Sequence, residues 1–417
     1  MAKIKDIKAQ EILNGKGEPA IETTVLLSDG KFGVSSCPTG TTVGSYEAVE
    51  LRDIEEQRFQ GRGVRKAIQN VTELIRPALL EMEATKQQDV DKKMIELDGT
   101  SNKSRLGANA ILSVSMSVCK AAAQSSMLPL FLYLREFIKK DNLTLRVPTP
   151  IFNVLNGSTD QGADFKDFLI LGATSKSYPE NLSMISSINN ALRTNLQKAN
   201  LSTLISDEGA FSPNVSNNDH ALELVKQSIE SVSLRLGFDV FAGVDVVAND
   251  FFKQGKYTIK DTAIPLSSGE LVRFYEEIAK KYSVIYFEDP LSDEDWEGWI
   301  EMTKSISSQA LVVGDTLTAT NPYRLQTALG KKAITGIVVK PVQIGTVIEA
   351  LAVVEVARAA GLKIVASTRS EETNDDFIAD FAVAVSSDYV KFGGIVRGEM
   401  VAKYNRLLQI ETQLKTL

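Results

Sequence analysis

Six short apolar runs in the second half of the chain each lead into an ionisable or hydroxyl side chain. In chain order these runs lead into Asp245, Glu288, Asp315, Lys340, Ser367-Thr368-Arg369 and Lys391. Charges are disfavoured within buried parallel strands, but at the carboxyl ends of barrel strands several can point at one ligand. The polar ends recur at intervals of roughly 25 to 40 residues, about the length of one strand, one helix and two loops. The pattern predicts an α/β barrel of the TIM type with a functional site at its mouth.

The first third of the chain has a different pattern. Residues 21–36 alternate between apolar and polar and break at Ser28-Asp29-Gly30, which predicts a hairpin. Helical periodicity follows from about residue 46 to 139, and residues 106–123 predict a small-residue helix that packs closely. One core-facing stripe comprises Val64, Ile68, Val71, Ile75 and Leu79. We expect a smaller N-terminal α+β domain.

The domain boundary is placed where a polar stretch gives way to Val147-Pro148-Thr149-Pro150. After this point strand and helix signals alternate to the end, as a parallel barrel requires. With 417 residues, the chain is long for a single core. The prediction is an α+β capping domain over residues 1–140 and a catalytic barrel over residues 141–417.

Composition narrows the function classes. The formal net charge of -7 argues against a generic nucleic-acid surface, and the absence of an uninterrupted apolar stretch of about 18 residues argues against a membrane span. Cys37 and Cys119 are too few for a disulfide framework or a zinc site, so we expect free thiols and a cytoplasmic location. His220 is the sole histidine, which excludes a mechanism that needs two imidazoles.

Asp245, Glu288 and Asp315 follow three successive strands of the predicted barrel. Three carboxylates at one barrel mouth would repel each other unless a cation lay between them. Oxygen ligands without histidine or cysteine suit Mg²⁺. A helix cap is the simpler explanation for any one of these acids, but it explains the three together poorly.

A base and an acid accompany the carboxylates. Lys340 emerges from an apolar strand with its amine toward the barrel mouth, and it is a candidate general base or an ion-pair partner of the carboxylates. Glu208 is a candidate acid at an earlier strand end. With Mg²⁺ on a substrate carboxylate, this combination fits proton abstraction next to the carboxylate followed by loss of a β hydroxyl.

The chain resembles the enolase family over nearly all of its length. The matching stretches are Glu11-Ile12-Leu13, residues 47–53 (Glu-Ala-Val-Glu-Leu-Arg-Asp), Leu97-Asp98-Gly99-Thr100, residues 106–112 (Leu-Gly-Ala-Asn-Ala-Ile-Leu), Asp207-Glu208-Gly209, Glu288-Asp289-Pro290, Gln343-Ile344-Gly345-Thr346 and Ala402-Lys403-Tyr404-Asn405. They are long, ordered and specific. A lysine base with Mg²⁺ is the known pattern of the enolase superfamily.

The resemblance implies an enolase-like lyase that reversibly dehydrates 2-phosphoglycerate to phosphoenolpyruvate. It implies that Asp245, Glu288 and Asp315 hold one Mg²⁺ and that Thr42, where enolases have serine, contributes to a second. In the same way, Lys340 would take the C2 proton and Glu208 would help the C3 hydroxyl leave. The residues implied on the substrate side are Asp167, Arg369, Ser370 and Lys391. A homo-oligomer, as a dimer or a ring of dimers, is expected from the resemblance alone.

The chain departs from the enolase pattern around the phosphate and the leaving group. Both active-site histidines are absent: one loop reads Asn156-Gly157-Ser158-Thr159-Asp160, and Thr368 stands where enolases have the other histidine. The family's Gln-Glu-Phe is Lys166-Asp167-Phe168, and its Ser-Gly-Glu is Ser370-Glu371-Glu372. Asp160 and Glu371 would add negative charge near a phosphate unless they point to solvent, and Lys166 would offset part of it.

Three functions remain open on the sequence alone. The first is a divergent phosphopyruvate hydratase, because the base, the acid, the carboxylates and the anion-binding residues all persist. The second is a dehydratase with the same mechanism on another 2-substituted acid. The third is a non-catalytic enolase paralogue, which would not require Lys340 at a barrel mouth.

Overall fold

The structure is a computed structural model that describes residues 2–40, 44–139, 143–157 and 162–416. At its front, strands β1 (Ile4–Leu13), β2 (Pro19–Leu27) and β3 (Phe32–Cys37) form an antiparallel sheet in the order β1-β2-β3. The turn between β2 and β3 contains Gly30 at a φ of 84°, in the left-handed region that favours glycine. The predicted hairpin is confirmed, and β1 adds a strand to it.

Helices complete the front domain. In chain order they are α1 (Arg65–Asn70), a π-helical turn (Val71–Ile75), α2 (Arg76–Leu79), α3 (Gln87–Asp98), α4 (Ala108–Ser125) and α5 (Leu130–Arg135). The predicted apolar stripe lies on the first three of these elements and at the residue before them, and its members are buried except for the half-buried Ile68.

The helical expectation was wrong for residues 46–64, where the only described helical element is a 3₁₀ turn (Phe59–Gly61). The Asp53 carboxylate accepts hydrogen bonds from the backbone N–H groups of Arg65 and Lys66 at 3.0 and 2.9 Å. These are free N–H groups of a first helical turn, so Asp53 stabilises a helix start at Arg65.

Helix α4 packs directly on the front sheet. A Cβ atom added to Gly33 of β3 would lie 2.2 Å from the Ser117 carbonyl oxygen, so only glycine allows this approach. Thr23 of β2 donates a hydrogen bond to the Ser113 carbonyl at 2.7 Å. The close packing predicted for this small-residue segment is confirmed.

The barrel follows. Its strands and a short accompanying hairpin (β7 and β8) are β4 (Thr149–Asn156), β5 (Asp167–Gly172), β6 (Val240–Asp245), β7 (Phe252–Lys253), β8 (Lys256–Tyr257), β9 (Val284–Glu288), β10 (Leu311–Gly314), β11 (Gly336–Val339), β12 (Lys363–Ser367) and β13 (Tyr389–Lys391). The closed order is β10-β11-β12-β13-β4-β5-β6-β9. The predicted α/β barrel with a smaller front domain is confirmed.

Helices connect and cover these strands. They are α6 (Tyr178–Lys198), α7 (Asn218–Glu230), a 3₁₀ turn (Ala248–Phe251), α8 (Ser268–Tyr282), α9 (Trp296–Ile306), α10 (Pro322–Lys331), α11 (Pro341–Ile344), α12 (Val347–Ala359), α13 (Phe377–Ala384) and α14 (Gly398–Leu414). None of the helices in the described ranges has both the length and the apolar content needed to cross a lipid bilayer.

The barrel is not wholly parallel, which corrects the expectation of a parallel barrel. Strand β5 pairs antiparallel with both β4 and β6. Only residues 157–166 separate β4 from β5. A parallel connection needs a crossover of a dozen or more residues, so this short segment returns the chain in the opposite direction. The predicted boundary at 140/141 stays a prediction, because residues 140–142 lie outside the described ranges.

Apolar side chains fill the barrel interior. One buried apolar cluster inside the barrel contains Ile151, Leu169, Leu171, Tyr286, Val313, Val338 and Val365. Such layers make a barrel core solid, and barrel sites therefore form from the residues that follow the strands.

A buried lysine of the last helix supports one of the loops at the mouth. The Lys403 side chain is fully buried, and its Nζ lies 3.0 Å from Glu372 Oε2. It also donates to the carbonyls of Thr373 and Glu399 at 2.7 and 2.8 Å. The other Glu372 oxygen accepts a hydrogen bond from the Arg369 backbone N–H at 2.9 Å.

We expect Lys403→Met to lower the free energy of unfolding by about 3 to 5 kcal/mol, because it leaves the Glu372 carboxylate buried without its cation. Urea unfolding followed by circular dichroism measures the change. Lys415→Met is the matched control, since that side chain is 69% exposed and pairs with Glu411 within the same segment; we expect less than about 0.5 kcal/mol there. Equal effects of the two substitutions would contradict the prediction.

Candidate active site

The six strand ends singled out in the sequence meet at one end of the barrel. Asp245, Glu288 and Lys391 are the last residues of β6, β9 and β13, while Asp315 and Lys340 directly follow β10 and β11. A cavity of about 430 Å³ opens there. Among the predicted site residues it is lined by Glu208, Asp245, Asp315, Lys340, Arg369 and Ser370. Asp167 and Lys391 line a smaller cavity that shares all six of these residues.

Lys391 lies between two of the predicted metal ligands. Its Nζ donates to Asp245 Oδ2 and to Glu288 Oε1, each at 2.7 Å, and lies 3.9 Å from Asp167 Oδ2. Burial would lower the pKa of Lys391, but the surrounding carboxylates outweigh it and raise that pKa well above its usual value. Burial, and then the neighbouring Asp245, raise the pKa of Glu288 to about 8. This ammonium is therefore a fixed positive charge within the carboxylate cluster.

The third predicted ligand has a lysine of its own. Lys340 Nζ lies 2.5 Å from Asp315 Oδ2, and Gln343 Nε2 donates to Asp315 Oδ1 at 3.2 Å. Burial alone would raise the pKa of Asp315, but Lys340 and then Lys391 outweigh it and lower the pKa to about 2. The sequence left open whether Lys340 is a general base or an ion-pair partner of the carboxylates. Its side chain lines the cavity, as a base requires, and its amine also pairs with Asp315.

The donor set suits a divalent cation. The three predicted ligands offer only carboxylate oxygens, the ligands that Mg²⁺ prefers. Asp245 Oδ1 is buried without a hydrogen-bond partner, as expected of an oxygen that a cation would satisfy. Within the described ranges no three such side chains are gathered into a preformed metal site. Lysine ammonium groups contact all three carboxylates. Thr42, assigned to a second cation, lies outside the described residues.

The candidate acid lies in a turn and not at a strand end, which corrects the sequence expectation. Residues 206–210 form this turn, closed by a hydrogen bond from Ser206 N to the Ala210 carbonyl at 2.8 Å. The Glu208 carbonyl accepts from Gly394 N at 2.7 Å, which holds the turn against the segment after β13. These backbone contacts join residues far apart in sequence, so no local pattern shows them.

Glu208 and Asp167 differ in protonation. Lys166 Nζ lies 3.4 Å from Glu208 Oε1. Burial would raise the pKa of Glu208, but Lys166, Lys391 and Lys340 outweigh it and lower that pKa. Burial and then the Glu208 charge raise the pKa of Asp167 to about 8. Asp167 Oδ1 accepts from Asn156 Nδ2 at 2.6 Å, whereas its Oδ2 is buried without a hydrogen-bond partner.

Arg369 and Ser370 line the cavity on the side of the front domain. Arg369 is 7% exposed and its Nη1 lies 2.9 Å from Glu47 Oε2. A Cβ atom on Gly40 would come within 1.6 Å of Arg369 Nη2, so the guanidinium lies directly under the backbone at Gly40. The structure also resolves an alternative that the sequence left open: Glu371 is 3% exposed and does not point to solvent. Asp160 lies outside the described residues.

Sequence reasoning missed several residues that hold the site together. Asp289 accepts hydrogen bonds from the backbone N–H groups of Asp315 and Thr316 at 3.0 and 2.7 Å. Burial and the nearby Asp315 raise the pKa of Asp289 to about 7. Asp289 and Gln343 both lie in stretches that matched the family pattern, but both contact the segment after β10, which is distant from them in sequence, and no local pattern contains such contacts.

An eight-stranded barrel that gathers carboxylates, lysines and an arginine at the carboxyl ends of its strands, with a smaller N-terminal domain, has the architecture of the α/β-barrel class of enzymes, whose active sites lie at that end. The family model "Enolase, C-terminal TIM barrel domain" matches residues 144–416, and "Enolase, N-terminal domain" matches residues 4–134. The enolase of Acidothermus cellulolyticus is 42% identical over 416 residues, which cover 99% of this chain and 95% of that protein.

The chain belongs to the enolase family. The resemblance deduced from its motifs is thereby confirmed, and so is the reaction class, a carbon–oxygen lyase that dehydrates 2-phosphoglycerate. Enolases use Mg²⁺.

The ion pair between Lys166 and Glu208 leads to a pH prediction. The Lys166 charge favours the ionised form of Glu208 and so lowers its pKa; we expect Lys166→Gln to raise that pKa. Lys166 also lowers the pKa of Asp167, so the basic limb of the pH profile of kcat/KM, where the Glu208–Asp167 pair loses the proton that the leaving hydroxyl needs, should move to higher pH. Lys176→Gln is the control, because Lys176 pairs with Asp239 at 3.7 Å and does not line the cavity. An unchanged basic limb in Lys166→Gln would contradict the prediction.

Proposed function

We propose that Lys340 removes the C2 proton of 2-phosphoglycerate and that Glu208 assists the departure of the C3 hydroxyl. One observation carries this proposal: Lys340 and Glu208 line the same cavity as Arg369 and Ser370, so a base, an acid and anion-binding groups surround one space. A base and an acid that act on adjacent carbons must reach the same small molecule, which the shared cavity allows.

Asp245, Glu288 and Asp315 would hold the Mg²⁺, with Thr42 as the candidate ligand of a second ion. The bound ion would supply positive charge where the substrate carboxylate gains electron density after proton removal. For Lys340 to accept the proton, its amine must be unprotonated and released from Asp315. Lys391 stays as an ammonium, because the carboxylates around it favour that form, and it offers a hydrogen-bond donor to the substrate carboxylate.

The acid is a pair of carboxyl groups and not one. Glu208 is ionised at neutral pH, because Lys166 lowers its pKa, while the raised pKa of Asp167 leaves a proton on that side chain. Two interacting carboxyls titrate as a unit, so the proton that the leaving hydroxyl requires is held by the pair. Lys166 balances the remaining negative charge.

The phosphate would bind to Arg369 and Ser370. Arg369 is fixed by Glu47, and a guanidinium presents parallel N–H donors to phosphate oxygens. No imidazole takes part: His220, the sole histidine, is in the first turn of α7, where Ser216 hydrogen-bonds to its ring at 3.1 Å, and it does not line the cavity.

We further propose a cytoplasmic location and a homo-oligomeric assembly. Cys37 and Cys119 are both free and buried, which suits a reducing compartment. The oligomer is inferred from the family alone, and sedimentation of the purified chain would test it.

The decisive assay combines the purified protein with Mg²⁺ and 2-phosphoglycerate and follows the absorbance of phosphoenolpyruvate. We expect turnover by the parent chain and a loss of about 10²- to 10⁴-fold in kcat for Lys340→Ala, because general-base catalysis contributes that much. Lys363→Ala is the matched control: it lies at the start of β12, at the opposite end of the barrel, pairs with Asp388 and is 51% exposed.

Two results would overturn the assignment. Parent turnover no greater than that of Lys340→Ala would reject Lys340 as the base. No turnover of 2-phosphoglycerate by a parent chain that binds Mg²⁺ in calorimetry would reject this substrate and direct the search to other 2-substituted acids.

A further inference from the structure

Lys16 of the front domain joins two barrel loops at the active-site mouth. Its Nζ lies 3.2 Å from Asp207 Oδ2 and 3.3 Å from Glu371 Oε1. Burial would lower the pKa of Lys16, but the two carboxylates outweigh it and raise that pKa, so the side chain is a cation. One positive charge of one domain therefore holds two negative charges of the other.

Those two carboxylates are immediate neighbours of proposed site residues. Asp207 directly precedes Glu208 in the acid loop, residues 206–210, and Glu371 directly follows Ser370 in the phosphate loop, residues 369–372. The two loops come from distant parts of the sequence. A group bound to both fixes the spacing between the proposed acid and the proposed phosphate site.

Lys16 itself is held in place. It lies in the turn between β1 and β2, where Asn14 Oδ1 accepts hydrogen bonds from the backbone N–H groups of Lys16 and Glu18 at 3.0 and 2.9 Å. Gly17 in this turn has a φ of 80°, which glycine adopts without strain. The ammonium therefore projects from an ordered turn.

Backbone hydrogen bonds that do not involve the Lys16 side chain also join the front domain to the phosphate loop. Gly15 N donates to the Glu372 carbonyl at 2.8 Å, and Thr39 N donates to the Glu371 carbonyl at 3.0 Å. Arg397 Nη2 donates to the Gly15 carbonyl at 2.5 Å. The phosphate loop is thus bound to the front domain by main-chain hydrogen bonds, and Lys16 adds the acid loop to that unit.

The carboxylates of Asp207 and Glu371 differ in burial, and therefore in how much they depend on Lys16 to compensate their charge. The Glu371 side chain is 3% exposed, and among the described residues Lys16 is its one ion-pair partner. The Asp207 side chain is 52% exposed, so water can solvate it. Enolases have glycine where this chain has Glu371, as the motif comparison showed. Removing only Lys16 would leave Glu371 as a buried carboxylate without a cation. This should destabilise the loops more than removing Lys16 and Glu371 together.

We propose that Lys16 is a positioning residue that holds the acid loop and the phosphate loop at the spacing the dehydration requires, by pairing with Asp207 and Glu371. The inference rests on the proposed function of those loops. Lys16 does not line the active-site cavity and acts through its two partners.

The test is a double-mutant cycle read out on 2-phosphoglycerate turnover. We expect Lys16→Met to lower kcat/KM about 10- to 30-fold, since it leaves Glu371 buried without a cation and frees the acid loop; Lys16→Arg should restore it to within about threefold. Glu371→Gly should lower kcat/KM less than Lys16→Met does, because Lys16 keeps its ion pair with Asp207. The double variant should regain activity toward that of Glu371→Gly alone.

Lys3→Met is the matched control, because Lys3 is another front-domain lysine that pairs with an acid, Glu81, at 3.3 Å, away from the cavity. It should leave kcat/KM unchanged. Additive losses in the cycle, or Lys16→Met activity equal to that of Lys3→Met, would overturn the inference while the turnover of the parent chain still supports the proposed function.

A second readout does not depend on turnover. Hydrogen exchange should be faster in Lys16→Met than in the parent chain for the amides of residues 206–210 and for Thr39 N, and normal again in Lys16→Arg. If the parent chain fails to turn over 2-phosphoglycerate but this exchange pattern appears, the loop coupling stands and the substrate assignment fails. Unchanged exchange in Lys16→Met would reject the coupling.

Discussion

The rest of this structure depends on the compensation of buried carboxylates at the barrel mouth. Asp245 and Glu288 end neighbouring strands in direct register, and a β-sheet holds such residues too close together for two unpaired charges. The Lys391 ammonium lies 2.7 Å from both. Removing an ionised carboxylate from water is costly unless an opposite charge and hydrogen bonds accompany it. Lys391 and the raised pKa of Glu288 therefore together reduce the repulsion between these two strand ends.

Other buried or half-buried carboxylates around the cavity also lie next to a positive charge. Four further acids near the cavity have basic partners, in the pairs Lys340–Asp315, Lys166–Glu208, Arg369–Glu47 and Lys16–Glu371. A phosphorylated acid that enters this space meets cations already paired with carboxylates. Binding must therefore exchange partners, and a divalent cation held by the carboxylates would release lysines for the substrate. Affinity for the anion and affinity for the metal are linked for this reason.

The sequence predicted the barrel strands and their polar ends, because apolar runs that end in a charge are local features. It did not predict the reversed β5, since strand direction depends on the length of a connection whose ends no local pattern marks. It also left open the partner of Lys391, because side chains from β6, β9 and β13 meet only when the barrel closes. The burial of Glu371 was left open for a similar reason: its cation, Lys16, is 355 residues away along the chain.

Two of the departures from the enolase pattern add charges of opposite sign, and each added charge has a partner of the other sign. Lys166 adds a positive charge and Glu371 a negative one, and each lies within 3.4 Å of an opposite charge, on Glu208 and Lys16 respectively. Thr368, which stands where enolases have a histidine, hydrogen-bonds through its hydroxyl to the Lys391 carbonyl at 3.3 Å. A threonine hydroxyl does not titrate near neutral pH, so in the proposed function the proton transfers are assigned to carboxyl and amine groups. Because the pKa values of carboxylates and amines respond to nearby charge, the ion pairs at the barrel mouth also influence the protonation of the proposed catalytic groups.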